Sequence, residues 1–358
     1  MFAFPLLSPT LLAAVMTFAA GQRTFTFEAP QVTAQLGVAS AQIHGLVWYP
    51  VDAGATETPQ SVGDSKALFD AGSAAVDAPI ATAPAVFPLV LLSHGTGGSA
   101  RQMAWLGIAL ARAGFIAVAI DHPGNSGAAE TTVQGFTLWW LRPRELSLAL
   151  DAVFTDPSVG PRVDRARIGA AGFSLGGYTA IALGGASVDV AAFHAYCAQH
   201  PTAAGNCQPP PEFPELISKM NALLASDPSY AKAMTSGGGD VSDSRVRSVY
   251  AIAPAVGESV TVASLRAISV PVRVVFGTND VTVAPPQNAL RYASAIPGAT
   301  LMTVPGAGHY TFLDTCTADG KALIPGPVCT DGPGVDREAI HAQVARDAIA
   351  FFEKTLGP

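Results

Sequence analysis

Residues 167–183 read Arg167-Ile-Gly-Ala-Ala-Gly172-Phe-Ser174-Leu-Gly176-Gly-Tyr-Thr-Ala-Ile-Ala-Leu183. The first half is an apolar run, as expected for a strand covered on both faces, and Leu175–Leu183 continues as a helix. Gly172-Phe-Ser174-Leu-Gly176 therefore falls where a buried strand turns directly into a helix. That context makes Gly-x-Ser-x-Gly informative: a side chain at either glycine would clash in so tight a turn, and the serine is left exposed at the strand's C-terminal end. The alternative is an ordinary strand–helix turn with an idle serine.

Working outward, Phe87–Leu92 and Phe115–Ile120 are two further continuous apolar strands, with a helix over Met103–Ala113 between them ending at Gly114. Pro143–Thr155 reads as a helix, Tyr250–Ala253, Val272–Phe276 and Thr300–Val304 as strands, and Asp336–Thr355 as a closing amphipathic helix. Strands apolar throughout and alternating with helices imply an α/β domain, with a mostly parallel central sheet and helices on both faces. Thr24–Glu28 and Gln42–Tyr49 are expected as earlier strands, the second ending at Pro50. Val51–Pro84 is expected as a surface excursion with one short helix near Lys66–Phe69. Residues 187–243 break the rhythm: they hold two cysteines, Pro209-Pro-Pro211, one amphipathic helix (Pro214–Ser226) and Ser236-Gly-Gly-Gly239. This reads as a lid-like insertion after the serine's helix, within a single catalytic domain spanning residues 22–358.

A serine hydroxyl needs a base to act as a nucleophile at neutral pH. Of seven histidines, His309 alone occupies a loop between the last strand and the closing helix, in Gly306-Ala-Gly-His309. The base in turn needs an acid to fix its tautomer. Asp280 follows a strand in Gly277-Thr-Asn-Asp280, giving the order Ser, Asp, His; Asp314, Asp240 and Asp243 are its competitors. Ser93-His-Gly-Thr-Gly-Gly98 follows the first core strand, and its glycines free backbone N–H groups to face a reacting oxygen. Thr96 is the expected oxyanion donor there, with the N–H of Leu175 as the second. A phosphate site is the rival for this loop, but the chain has no Gly-x-Gly-x-x-Gly and no P-loop lysine.

The whole chain bounds the rest. Its 358 residues are 49% hydrophobic and 13% charged, with net charge −7 and no basic run, so a nucleic-acid partner is excluded on charge. Residues 1–21 read as a signal peptide: Phe2–Ala20 is apolar and Ala19-Ala-Gly21 are small, although no Lys or Arg precedes the run. An uncleaved anchor or a mis-set start codon are the alternatives. No comparable apolar stretch follows, so no stable membrane insertion is expected after signal cleavage. Four cysteines allow three pairings. Nearest neighbours, Cys197 with Cys207 and Cys316 with Cys329, are expected because each pair closes a short loop outside the sheet. Two such disulfides suit a periplasmic or secreted protein. A zinc set in His194-x2-Cys197-x2-His200 is the alternative for the first pair, and would leave Cys207 without a partner. No metal is otherwise expected.

From Phe87 onward, Ser93-His-Gly-Thr-Gly97, Asp121-His-Pro-Gly124, Arg142-Pro143, Gly308-His-Tyr-Thr-Phe312 and the cysteine-bounded segment after the histidine resemble the α/β-hydrolase superfamily. The resemblance points to its dienelactone-hydrolase-like and platelet-activating-factor-acetylhydrolase-like esterases. It implies the α/β-hydrolase fold and hydrolysis of small carboxylic esters through a covalent acyl-enzyme, without a cofactor. True dienelactone hydrolases carry cysteine at the elbow where this chain has Ser174, so dienelactone does not transfer as substrate. Substrate contacts are expected from His94, Gly95, Tyr310 and Phe312, while Trp139-Trp140 reads as packing, with a cleft wall as the minority reading. An amidase or peptidase with the same triad, or a non-catalytic binding protein on this fold, are the rival functions. Oligomeric state is left open.

Overall fold

In the computed structural model the described residues are 18–63, 65–203, 207–210, 212–324 and 326–357. Most of the expected signal segment lies outside them. Eleven strands are introduced in chain order: β1 Ala19–Glu28, β2 Gln42–Val51, β3 Thr58–Val62, β4 Phe69–Val76, β5 Phe87–Ser93, β6 Ile116–Ile120, β7 Val163–Phe173, β8 Val246–Ile252, β9 Val272–Gly277, β10 Thr300–Val304 and β11 Thr315–Cys316. They form one sheet in the order β10-β9-β8-β7-β5-β6-β2-β1-β4-β11, with β3 paired to β4. From β10 to β6 every pair is parallel, and β2 then runs antiparallel to β6 and to β1. This is the mostly parallel sheet with helices on both faces that was expected. One apolar core lies on each face. Leu146, Leu150 and Val153 of the Arg142–Thr155 helix and Ile181 of the Leu175–Leu183 helix pack on one. Leu106 and Leu110 of the Ala104–Arg112 helix and Val344 and Phe352 of the Arg337–Leu356 helix pack on the other.

Three expectations are corrected. The segment 51–84 carries no helix at Lys66–Phe69; it contributes β3 and β4, and β4 pairs with β1, β3 and β11. Strand β2 does not stop at Pro50, because its pairing with β6 ends at Trp48, beyond which proline's missing donor is not asked for on that side. Among its described residues the segment 187–243 holds three helices rather than one: Val190–Gln199, Leu216–Ser226 and Pro228–Thr235.

Strand β1 starts at Ala19 and pairs from there with Val51, so it reaches three residues into the stretch read as a signal peptide. The cysteines pair as nearest neighbours, Cys197–Cys207 and Cys316–Cys329. That removes the thiolate from the alternative His194–Cys197–His200 ligand set. Among the described residues no helix is long and apolar enough to cross a membrane.

Candidate active site

Strand β5 sits where the sheet's direction of winding reverses: the chain passes from β5 to β6 on one side and returns to β7 on the other. Loops leaving β5 and β7 at such a switch point diverge and leave a crevice. Ser93 of β5 is paired with Gly172 of β7, so both loops start at the same level. Ser174 takes φ +57, a left-handed conformation that costs a non-glycine residue of order 1–3 kcal/mol and persists only where neighbours over-determine it. Here its N–H donates to the Ile252 carbonyl at 2.9 Å, and its carbonyl accepts from Gly177, Tyr178 and Ala255. The flanking glycines are required by contact: a Cβ on Gly172 would lie 2.2 Å from the Gly176 carbonyl oxygen, and one on Gly176 would lie 1.9 Å from that of Ser93.

His309 opens a short 3₁₀ turn, His309–Phe312, after β10. Its Nε2 is 2.9 Å from Ser174 Oγ and its Nδ1 is 2.7 Å from Asp280 Oδ2. The second carboxylate oxygen of Asp280 accepts from the Val283 N–H at 2.7 Å. A carboxylate facing Nδ1 fixes the proton there and leaves Nε2 as the acceptor for the serine hydroxyl. All three side chains are buried. The His309 ring is held from behind by the Phe173 ring at 4.8 Å, and its loop by Arg337, which binds Asp331 and the Val328 and Asp314 carbonyls. The competing acids are engaged elsewhere: Asp243 with Arg245 and Ser147, Asp240 with the Ser242 N–H. Asp314 is fully buried in the segment after the turn, and burial holds its carboxyl well above the usual range.

The loop after β5 keeps the backbone N–H of Thr96 without an acceptor among the described residues, as is that of Leu175 at its helix start. Such an N–H can face the cleft only if the neighbouring carbonyls and amides are fixed from beneath. Arg142, fully buried, does this with Nη1 to the His94 carbonyl at 2.8 Å and Nη2 to the Gly95 and Asn125 carbonyls at 3.4 Å. Asn125 Oδ1 accepts from the Gly97 N–H at 2.8 Å. Below lies a buried chain in which His122 Nε2 is 2.8 Å from Ser93 Oγ and Nδ1 is 2.6 Å from Glu145 Oε2. Burial pushes Glu145 up to about 8 against the pull of Arg142, drives His122 well below its ordinary value, and lowers Arg142 to about 10. Of these supports Ser93, His122 and Arg142 fall in motifs the sequence singled out, but Asn125, Glu145 and the contacts that join them were not visible, because a buried charge leaves no periodicity.

A cavity of about 440 Å³ opens over these groups, lined among others by Gly95, Thr96, Ser174, Leu175, His309 and Tyr310. Gly95 and Tyr310 thus lie where expected. His94 and Phe312 do not. The His94 ring is buried, its Nδ1–H donating to the Gly95 carbonyl and its Nε2 accepting from the His122 N–H. Phe312, two residues from the cavity-facing Tyr310, turns into the core beside Phe173. Glu212, not foreseen, reaches in from the insertion and packs against Gly97, whose φ of +64 and missing side chain make the approach possible. Burial raises its carboxyl, while His309 pulls the other way.

The family model described as the alpha/beta hydrolase family matches residues 89–318, which carry the β5 loop, the elbow, Asp280 and His309. The chain belongs to the alpha/beta hydrolase family. Among its relatives, bis(hydroxyethyl) terephthalate hydrolase of Streptomyces coelicolor is 31% identical over 123 residues, 33% of this hydrolase-family chain and 36% of that protein. A cutinase of Thermobifida alba is 33% identical over 90 residues, 25% of this chain and 27% of that one. The alignments thus span about a third or less of the length of these curated relatives. The solved ferulic acid esterase from Streptomyces cinnamoneus superposes with TM-score 0.57 at 19% identity, over 96% of this chain and 92% of that one, and shares the fold.

Proposed function

We propose that this protein is a serine hydrolase of carboxylic esters that acts through a covalent acyl-enzyme. The observation that carries the reading is the continuous hydrogen-bonded chain from Ser174 through His309 to Asp280, beside two backbone amides in one cavity. In the first half-reaction His309 Nε2 takes the Ser174 proton as Oγ bonds the ester carbonyl carbon, and the Thr96 and Leu175 amides hold the oxyanion. The imidazolium, stabilised by Asp280, gives its proton to the leaving alcohol as the C–O bond breaks. Water then repeats the sequence on the acyl-serine, releasing the acid and restoring the serine. No step calls for a cofactor. The names of the relatives, which include a terephthalate ester hydrolase, a cutinase and, for the fold, a ferulic acid esterase, support ester over amide substrates. Two disulfides support an exported, periplasmic or secreted protein, and the cavity-lining Gln208, Pro209 and Glu212 support a lid role for the insertion.

The test is hydrolysis of p-nitrophenyl acetate and butyrate by wild type and Ser174→Ala. Wild-type turnover should fall by roughly 10³- to 10⁶-fold in the variant. A variant that keeps more than about a tenth of the activity refutes the assignment.

A further inference from the structure

The cavity over Ser174 shares six wall residues, Thr96, Leu175, Gln208, Pro209, Pro210 and Val256, with a second cavity of about 480 Å³. Their volumes fall within the range of small-molecule sites. The second chamber is lined mainly by apolar side chains, with Thr137, His194, Gln208 and Asn221 as polar groups among them. Phe136, Trp139 and Trp140, from the stretch between β6 and the Arg142–Thr155 helix, form one wall; Phe193, Met220 and Leu224 of the insertion face them. The aromatic rings meet edge to face, Trp139 with Trp140 at 5.3 Å, with Tyr178 at 4.9 Å and with Phe193 at 6.1 Å. The Cys197–Cys207 disulfide also lines the chamber and ties down the strand of chain that leads into Gln208-Pro209-Pro210.

Which half of an ester enters this chamber follows from where the proton must go. The tetrahedral carbon on Ser174 carries the serine oxygen, the oxyanion, the leaving oxygen and the acyl substituent. The oxyanion faces the Thr96 and Leu175 amides. The leaving oxygen must take its proton from His309 Nε2, so it stands on the histidine side, where Tyr310 and Leu313 also line the first cavity. The acyl substituent is left to point away from the histidine. The apolar chamber borders both oxyanion residues, and His309 and Tyr310 are not among its wall.

On the ester-hydrolase reading given above, we propose that this chamber is the acyl site, that it takes the bulky apolar acid portion of the substrate, alkyl or aryl-alkyl, and that the insertion sets how large that portion can be. Trp139 and Trp140, expected as packing, then serve as the fixed wall and Met220 and Leu224 as the adjustable one. Each methylene sheltered from water strengthens binding of the acyl portion, so larger acids gain until the chamber is full.

The experiment compares kcat/KM for p-nitrophenyl acetate, octanoate and 3-phenylpropanoate in wild type, Met220→Trp and Leu224→Trp, with unfolding temperatures measured alongside. Filling the chamber should lower the octanoate-to-acetate and phenylpropanoate-to-acetate ratios by about tenfold or more in a variant that keeps its unfolding temperature. A loss confined to one of the two long substrates identifies alkyl or aryl-alkyl acids as the occupant and supports the site. Ratios within about twofold of wild type in both variants overturn it. Wild type inert toward all three esters would refute the ester reading instead. The chamber is then read by calorimetric titration of sodium octanoate into Ser174→Ala protein with and without Leu224→Trp. Saturable binding weakened by the substitution keeps the apolar-acid site, and no binding overturns it.

Discussion

Gly176→Ala tests the elbow by adding one methyl group. The new Cβ would sit 1.9 Å from the Ser93 carbonyl oxygen, 2.5 Å from its carbon and 2.7 Å from the His94 oxygen. Real Cβ atoms essentially never approach closer than 3.0 Å, so the end of β5 and the elbow must separate by about 1 Å. Both are backbone, held in register by the β5–β7 ladder, and neither can rotate away as a side chain would. Overpacking of this kind costs roughly 1–3 kcal/mol, which for a chain of this size lowers the unfolding temperature by roughly 1–4 °C. The catalytic effect is larger. The shift falls between Ser174, the nucleophile of the proposed mechanism, and the loop bearing the Thr96 amide, and a misplacement of about 1 Å costs on the order of 10²-fold in rate. The assay pairs p-nitrophenyl acetate kinetics with thermal unfolding, and Gly239→Ala, where a Cβ meets nothing within 4 Å, is the control. A Gly176→Ala protein with at least a third of wild-type kcat/KM and an unchanged unfolding temperature would refute the argument.

Two further outcomes are expected. Arg142→Met takes donors from the His94 and Gly95 carbonyls, so kcat should fall roughly 10- to 100-fold while KM moves by less than about threefold. Arg142→Lys should recover part of kcat, and a variant that changes KM alone would sink the positioning role. Burial, against a hydrogen bond from Nε2 to the Thr311 carbonyl, holds His341 down to about 4 from its ordinary 6.5. It stays neutral in the native state while the unfolded chain takes up a proton. The stability it secures is therefore present above pH 6.5 and lost as pH falls toward 4, by up to roughly 3 kcal/mol. His341→Gln should flatten the unfolding-temperature profile in that window, and an unchanged acid slope would refute this.

What could be read from the sequence was whatever declares itself locally. Leu175–Leu183 and Thr300–Val304 appear with the bounds expected, because turn residues close both, Gly184-Gly185 after the first and Pro305-Gly306 after the second. The Ser–Asp–His order followed from strand ends. Strands β3 and β4 were missed because their residues are small and polar, and β4 owes its existence to β1, β3 and β11 rather than to its own pattern. The β5 loop showed its glycines but not its foundation: Arg142, Glu145 and His122 lie in other elements and meet only after folding. His94 and Phe312 were misplaced for the converse reason. In a loop or a 3₁₀ turn, nothing in the sequence says which way a side chain points.

The insertion between the Leu175–Leu183 helix and β8 leaves and re-enters the sheet at nearly one point. The Asp243 N–H donates to the Leu183 carbonyl at 3.0 Å, so the two ends of the excursion touch. A segment spliced in through adjoining ends can be lengthened, shortened or exchanged at small entropic cost to the host. Ser174, Asp280 and His309 all lie outside it. The strands and loops that hold these three side chains can thus keep their places while the excursion, which reaches them only through the cavity wall, differs in length or sequence.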